Sequence, residues 1–338
     1  MERIAVVGAG SWGTALAHIL GVKGHGVDLW VRRGKLADRI KEEGQNNTYM
    51  PGVNLSKNIR PTTDLEEAVH KKKVVLLVVP SGAVKGVART MAPYLQKDVI
   101  LVNAAKGLEG EELDLLSRII SRETGLGSHN IACLSGPNHA EEVIVGLPSA
   151  TVVASLNRKA AERAQDVLMT RGLRVYTNPD LVGVELGGAL KNIIAIGAGI
   201  SDGLGFGDNT KASLVTRGLV EIARLGTALG AKPLTFSGLS GIGDLIATCT
   251  SSHSRNRNFG ISVGKGEEAG RLIGESRMVV EGYATARTAH KLGLQLGVPM
   301  PITTEIYKIL FQKKEPGEAV KALMYRSKTH EMEDLLLP

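Results

Sequence analysis

The chain begins with a run that few folds can accommodate: IAVVGAGSWGTALA at residues 4–17, where Gly8, Gly10 and Gly13 spell G-x-G-x-x-G between a β-branched stretch and a helical pattern. A strand passing straight into a helix through such a turn opens a βαβ unit, and it brings backbone N–H groups to the positive end of the helix. A plain glycine turn would also use these residues. The strand before it and the helix after it favour a dinucleotide pyrophosphate seated on the loop, with Ser11 and Trp12 beside the cofactor.

The pattern continues for half of the chain. Apolar runs at 27–31, 74–80, 99–107, 131–136 and 150–155 alternate with helical segments such as AVKGVARTMAPYL and AAERAQDVLMT. Runs without polar alternation, separated by helices, belong to a parallel sheet covered on both faces. After RVYTNP strand signals vanish, and Asn178-Pro179 marks a hinge. The expectation is an α/β Rossmann-like domain over 1–178 and an all-α domain over 179–338, with ligands at the carboxyl ends of the strands.

Composition narrows the function. Lys and Arg number 41 against 34 Asp and Glu, giving +7, but the basic residues are scattered, which suits an anionic small molecule. Aromatics make up 4% of the chain, few for stacking bases, so nucleic acid is not an expected partner. The two cysteines, Cys133 and Cys249, lie far apart, and MERIAVVGAG enters a strand without a leader, so a cytoplasmic protein is expected. The apolar stretch 180–204 contains Glu185, Lys191 and many glycines, a poor membrane span. His139 and His253 lack partners at metal-ligand spacing, so no metal is expected.

Several residues stand out as chemistry. Arg32-Arg33 ends the second strand, where an NAD-specific domain would carry an acid; paired guanidinium groups suit a 2′-phosphate and hence NADPH, with NADH still possible. A solvated strand end would read the same way. Lys106 in NAAKGLE and the loop Gly136-Pro137-Asn138-His139-Ala140-Glu141 follow strands and could face a ligand or simply punctuate the chain. Ser254-Arg255-Asn256 combines an N-cap with a basic side chain at a helix start, a phosphate site or a surface turn. Lys191 sits among Leu186, Leu190, Ile193, Ile194, Ala195 and Ile196. Either it snorkels to solvent or it is a buried amine kept for proton transfer.

Through GAGSWGTALA, NAAKGLE, SGPNHAEEV, ELGGALKNIIAIGAGISDGLGFGDNTKA, LSGIGDL, SSHSRNRNFG and VVEGYATA, the chain resembles the bacterial-type NAD(P)-dependent glycerol-3-phosphate dehydrogenases from end to end. The resemblance implies a helical domain like the C-terminal domain of 6-phosphogluconate dehydrogenase. It also implies reversible reduction of dihydroxyacetone phosphate to sn-glycerol 3-phosphate, a supply of phospholipid backbone. By the same resemblance Lys191 is the proton acceptor in oxidation, and Lys106, Gly136, Asn138, Asp244, Ser254, Arg255 and Asn256 contact substrate. The implied cofactor contacts are Ser11, Trp12, Arg32, Arg33, Lys106, Ala140, Arg255, Val279 and Glu281. Asn138 departs from the family, which has Ser or Thr there.

Proton delivery from a lysine whose pKa burial has lowered suits a ketone reduction, and Asn192, Asp244 and Lys106 would position it. Gly187 and Gly188 are expected to thin the helix so that a ligand can approach. Two rivals remain: a related β-hydroxyacid dehydrogenase acting on carboxylates, and a non-catalytic NADPH-binding sensor. The glycine-rich apolar helices also allow a homodimer.

Overall fold

The structure, a computed structural model, describes residues 2–276, 278–328 and 331. The chain divides into two compact units: residues up to Ala105 with Leu116–Leu181, and Lys106–Leu115 with the chain from Val182.

The first unit is built on an eight-stranded sheet in the order Leu173–Asn178, Ser149–Ala154, Ile131–Ser135, Ile100–Asn103, Val74–Leu77, Arg3–Val7, Gly26–Trp30, Ile59–Thr62. Neighbours are parallel except Ile131–Ser135 and Ser149–Ala154, which pair antiparallel with Leu134 opposite Val153. Ile4, Val6 and Leu76 are completely buried, as strands covered on both faces require. Two strands escape the apolar-run reading. Ile59–Thr62 contains Pro61 and lies at the sheet edge, where a missing N–H does no harm; Leu173–Asn178 alternates buried and exposed at the other edge.

The second unit is organised around the 23-residue helix Leu181–Gly203. Its Leu186, Leu190, Ile193, Ile194 and Ile196 are buried among residues from the helices that follow. Among the described residues it is the one helix long and apolar enough to cross a membrane, and 94% of its most apolar window is buried inside the protein, as in a core helix.

Glycines let other backbones touch this helix. A Cβ at Gly199 would meet the Arg257 carbonyl oxygen at 2.0 Å, and one at Gly203 the Ile261 oxygen at 2.4 Å. Reciprocally, a Cβ at Gly260 would meet the Ile196 oxygen at 2.2 Å and one at Gly264 the Ile200 oxygen at 2.4 Å. The helix Arg255–Gly264 therefore lies on Leu181–Gly203 along a glycine-lined seam. These glycines, which in the sequence allow a dimer face, are occupied within one chain.

A Rossmann-like sheet unit and a helical unit stand as the sequence leads one to expect. Within the second unit Leu108–Glu109 and Asp114–Leu115 add a small antiparallel hairpin. Each unit is built from two stretches of chain. Leu108 and Leu115 bury their side chains in the same cluster as Leu186 and Ala189, which draws 106–115 into the helical unit, and the later passage falls after Leu181.

Candidate active site

In the first unit the glycine loop is shaped by what each missing side chain would strike. Gly8, at φ +121°, would place a Cβ 2.4 Å from the Val78 carbonyl oxygen, and Gly13 would place one 1.9 Å from the Gly8 oxygen. At Gly10 a Cβ would meet nothing within 4 Å. Two glycines are thus needed for packing, and the middle one leaves open space, the cradle a pyrophosphate requires. The Trp12 indole N–H is buried beside the loop with no hydrogen-bond partner. These features fit a dinucleotide.

Arg32 and Arg33 are both exposed just past the strand Gly26–Trp30, and Arg33 occupies the N-cap of the helix Gly34–Glu43. Ala140 is buried in one cluster with Met50 and Ile144, against which Trp12 also packs. Gly136 has φ +153°, and a Cβ there would meet the Thr151 Cα at 3.0 Å. Asn138 donates its amide to the Ala150 carbonyl at 2.9 Å and the Pro137 carbonyl at 3.0 Å, while its Oδ1 is buried without a partner. Where a serine or threonine would offer a hydroxyl, this chain presents an acceptor whose amino end is already engaged.

The second unit holds the ionisable groups. Lys191 is 6% exposed and does not snorkel. Its ammonium donates to Asp244 Oδ1 and, at 2.5 Å, to Thr248 Oγ1, which in turn donates to the Asp244 backbone oxygen at 2.6 Å. The other Asp244 oxygen accepts from Lys106 Nζ at 2.7 Å. One buried carboxylate therefore faces two ammonium groups. Burial, opposed by the attraction of Asp244 and helped by the Lys106 charge, brings Lys191 down to about 8. Burial would raise Asp244, but the two lysines outweigh it and hold the carboxyl below its usual value.

Local sequence explains how Asp244 gets there. Gly241 leaves helical geometry at ψ −106°, and a Cβ on it would meet the Phe236 carbonyl oxygen at 2.0 Å, so the chain folds tightly before the helix Asp244–Thr250 begins. The Ser240 carbonyl oxygen lies 2.5 Å from where a Gly187 Cβ would be. Gly187 thus admits a neighbouring protein backbone, not a ligand.

An amide chain links this cluster to the next helix. Asn192 donates to the Lys106 carbonyl at 3.4 Å, Asn256 donates to Asn192 Oδ1 at 2.9 Å, and the Gly282 N–H donates to Asn256 Oδ1 at 2.9 Å. Asn256 therefore spends its oxygen and one amide hydrogen on protein groups. Ser254 caps the helix Arg255–Gly264, accepting from the Arg257 N–H at 3.2 Å, and Arg255 is exposed beside it. Glu281 starts the helix Glu281–Leu296 next to Gly282, and Val279 lies exposed two residues earlier.

Lys106, Lys191, Asp244 and Asn256 are thus joined in one hydrogen-bonded cluster. Thr248 belongs with these groups but was not singled out from the sequence. Thr248 lies one helical turn beyond Asp244, a spacing that could have revealed it, and Asn103 Oδ1 accepts from the Ala105 N–H at 3.1 Å to shape the strand exit before Lys106. Among the described residues no group of three His, Cys, Asp or Glu could hold a metal ion.

Residues 3–161 match the family described as NAD-dependent glycerol-3-phosphate dehydrogenase N-terminus, and 180–321 match its C-terminus. A glycerol-3-phosphate dehydrogenase [NAD(P)+] of Moorella thermoacetica is 55% identical over 332 residues, covering 98% of each chain. The Bacillus subtilis protein of the same name is 48% identical over 337 residues, covering 99% of this chain and 98% of its own. The crystal structure of glycerol-3-phosphate dehydrogenase from Coxiella burnetii superposes with a TM-score of 0.92 at 38% identity, covering 96% of this chain and 99% of that one. Matched by both family models and by these relatives along nearly its whole length, the chain belongs to the NAD-dependent glycerol-3-phosphate dehydrogenase family.

Proposed function

We propose that this protein catalyses the reversible NAD(P)H-dependent reduction of dihydroxyacetone phosphate to sn-glycerol 3-phosphate, with Lys191 as the proton donor. The observation that carries this reading is the buried Lys191–Asp244–Lys106 cluster and the lowered pKa of its Lys191 amine. The dinucleotide, when bound, supplies a hydride to the ketone carbon during reduction. Lys191 stabilises the negative charge that grows on the ketone oxygen and delivers the proton to it. In oxidation the neutral amine takes that proton back from the hydroxyl. Asp244 keeps the ammonium oriented, while burial, helped by the Lys106 charge, keeps Lys191 from being permanently charged.

The start of the helix Arg255–Gly264, with Arg255 and Asn256, is the seat proposed for the substrate phosphate. Gly136 and Asn138 are proposed as further substrate contacts. On the dinucleotide side, Gly8, Gly10, Ser11, Trp12 and Gly13 would hold the pyrophosphate region, and Arg32 and Arg33 the 2′-phosphate of NADPH, the preferred form. Ala140, Lys106, Arg255, Val279 and Glu281 complete the proposed cofactor set. Binding energy gained at a remote phosphate holds the reacting carbon in line.

Neither cysteine forms a disulfide and both are buried, which suits the reducing cytoplasm proposed for the protein. The homodimer loses the support of the glycine seam, since that seam is filled within one chain. The decisive assay follows NADPH absorbance with dihydroxyacetone phosphate, unphosphorylated dihydroxyacetone and a panel of β-keto acids. Rapid oxidation with the phosphate ester alone is expected. Faster turnover of the carboxylates would favour the β-hydroxyacid rival, and absence of turnover with any of them the sensor.

A further inference from the structure

Between the helix Gly34–Glu43 and the edge strand Ile59–Thr62 the chain makes a small hairpin, Gln45–Asn46 paired with Met50–Asn54. This hairpin reaches the glycine loop. Asn46 is completely buried, and its amide donates at 3.0 Å to the carbonyl of Ala9, the residue between Gly8 and Gly10, and at 2.8 Å to Thr14 Oγ1 in the first turn of the helix Ser11–Val22. Ser11 donates to the Tyr49 carbonyl at 3.2 Å, a second tie between the same two segments. Met50, Tyr49 and Val53 pack with Trp12, Ala15 and Ala140 in one apolar cluster.

The contact at Ala9 has a consequence at Gly10. A trans peptide is planar, with its C=O and N–H pointing in opposite directions, and no peptide bond among the described residues is cis. A carbonyl of Ala9 turned toward Asn46 therefore turns the Gly10 N–H to the opposite side. If that peptide flipped, a carbonyl oxygen would face the anion in place of a donor. Asparagine suits this role because its amide offers two hydrogens on one nitrogen, one for each acceptor. Reversing the amide would set its oxygen against the Ala9 oxygen, so the orientation is determined, even though Oδ1 is left buried without a partner.

We infer that Asn46 is a positioning residue for dinucleotide binding, holding the Ala9–Gly10 peptide so that its N–H faces the pyrophosphate. The inference rests on the proposed seating of the dinucleotide on the glycine loop. It assigns a function to the hairpin 45–54, which contains no residue placed in the catalytic or ligand-binding sets above.

The test measures equilibrium binding by fluorescence quenching, without turnover, for NADPH and for adenosine 2′-phosphate, which lacks the pyrophosphate. Asn46→Leu keeps the size of the side chain and removes both hydrogen bonds without adding charge. The expected result is an NADPH Kd raised about tenfold or more, adenosine 2′-phosphate bound within about twofold of wild type, and kcat at saturating NADPH and the KM for dihydroxyacetone phosphate within about twofold. If Asn46→Leu does not fold, Asn46→Ala, which also removes both hydrogen bonds without adding charge, is read in the same way. Unchanged NADPH affinity, or equal weakening of both ligands as general loosening would produce, overturns the role of Asn46. A wild-type protein that binds neither ligand overturns the seating of the dinucleotide itself, and the inference with it.

Discussion

Lys191 and Lys106 bind opposite oxygens of a single buried carboxylate, Asp244, so that two cations share one anion where water has little access. Burial is the main influence that lowers Lys191; Asp244 opposes it, and the Lys106 charge adds to the lowering, which brings the amine to about 8, where it can both give and take a proton.

Removing the amine should stop the chemistry and spare the cofactor. Lys191→Ala is expected to lower kcat by about 10²–10⁴-fold, the usual worth of a positioned acid, while NADPH affinity stays within a few-fold. Steady-state kinetics with a parallel binding titration checks both parts. Retention of near-normal turnover would sink the assignment of Lys191.

The pH dependence should reverse with the direction of reaction. Lys191 is lowered to about 8, and reduction needs its protonated form, so that rate is full below this value and falls as pH rises through it. Oxidation needs the neutral amine, so its rate climbs over the same range. Replacing Lys106 by Met removes a neighbouring cation that lowers Lys191, and the inflection should move upward in rate–pH profiles of whatever activity remains.

Cofactor choice should depend on the two exposed guanidinium groups after the second strand. Arg32→Ala with Arg33→Ala is expected to raise the KM for NADPH by roughly 10- to 100-fold, the worth of charge-assisted hydrogen bonds, and to change that for NADH little. Comparison of kcat/KM for the two cofactors measures it. An unaltered preference would mean that both arginines only solvate the strand end.

Arg255→Ala tests the proposed phosphate seat. With NADPH saturating, so that the cofactor contact also proposed for Arg255 does not enter, efficiency with dihydroxyacetone phosphate should fall by about 10-fold or more, and the residual rate with unphosphorylated dihydroxyacetone should hardly change. An equal loss on both substrates would show that Arg255 acts elsewhere.

Gly199→Val places atoms where the Arg257 carbonyl oxygen now stands, 2.0 Å from the added Cβ. The helices must separate, at a cost of about 1–3 kcal/mol or more. Denaturant unfolding would register it, and an unchanged midpoint would contradict the close seam.

What could be read from the sequence was mostly local. The glycine loop, the apolar strands and the cap at Ser254 each follow from a few neighbouring residues, and the match to known motifs pointed to Lys106, Lys191 and Asp244. Contacts set by tertiary structure were hidden. Nothing near Asn46 announces that it reaches Ala9, because 37 residues separate them. Leu108 and Leu115 carry no sign that they belong to the helical unit. Gly187 looked like room for a ligand, since a missing side chain does not reveal which neighbour fills its place.

The glycine seam also bears on how the substrate is measured. Where Gly199 and Gly203 meet Gly260 and Gly264, two main chains rest directly on one another, and Asn256 to Asn192 and Arg257 to Asp202 tie the same two helices, so the backbones that carry Lys191 and Arg255 keep one separation. The pair works as a caliper whose span is set mainly by backbone thickness. Side-chain turnover over generations can alter what each jaw recognises, but a longer ligand would require moving an entire helix.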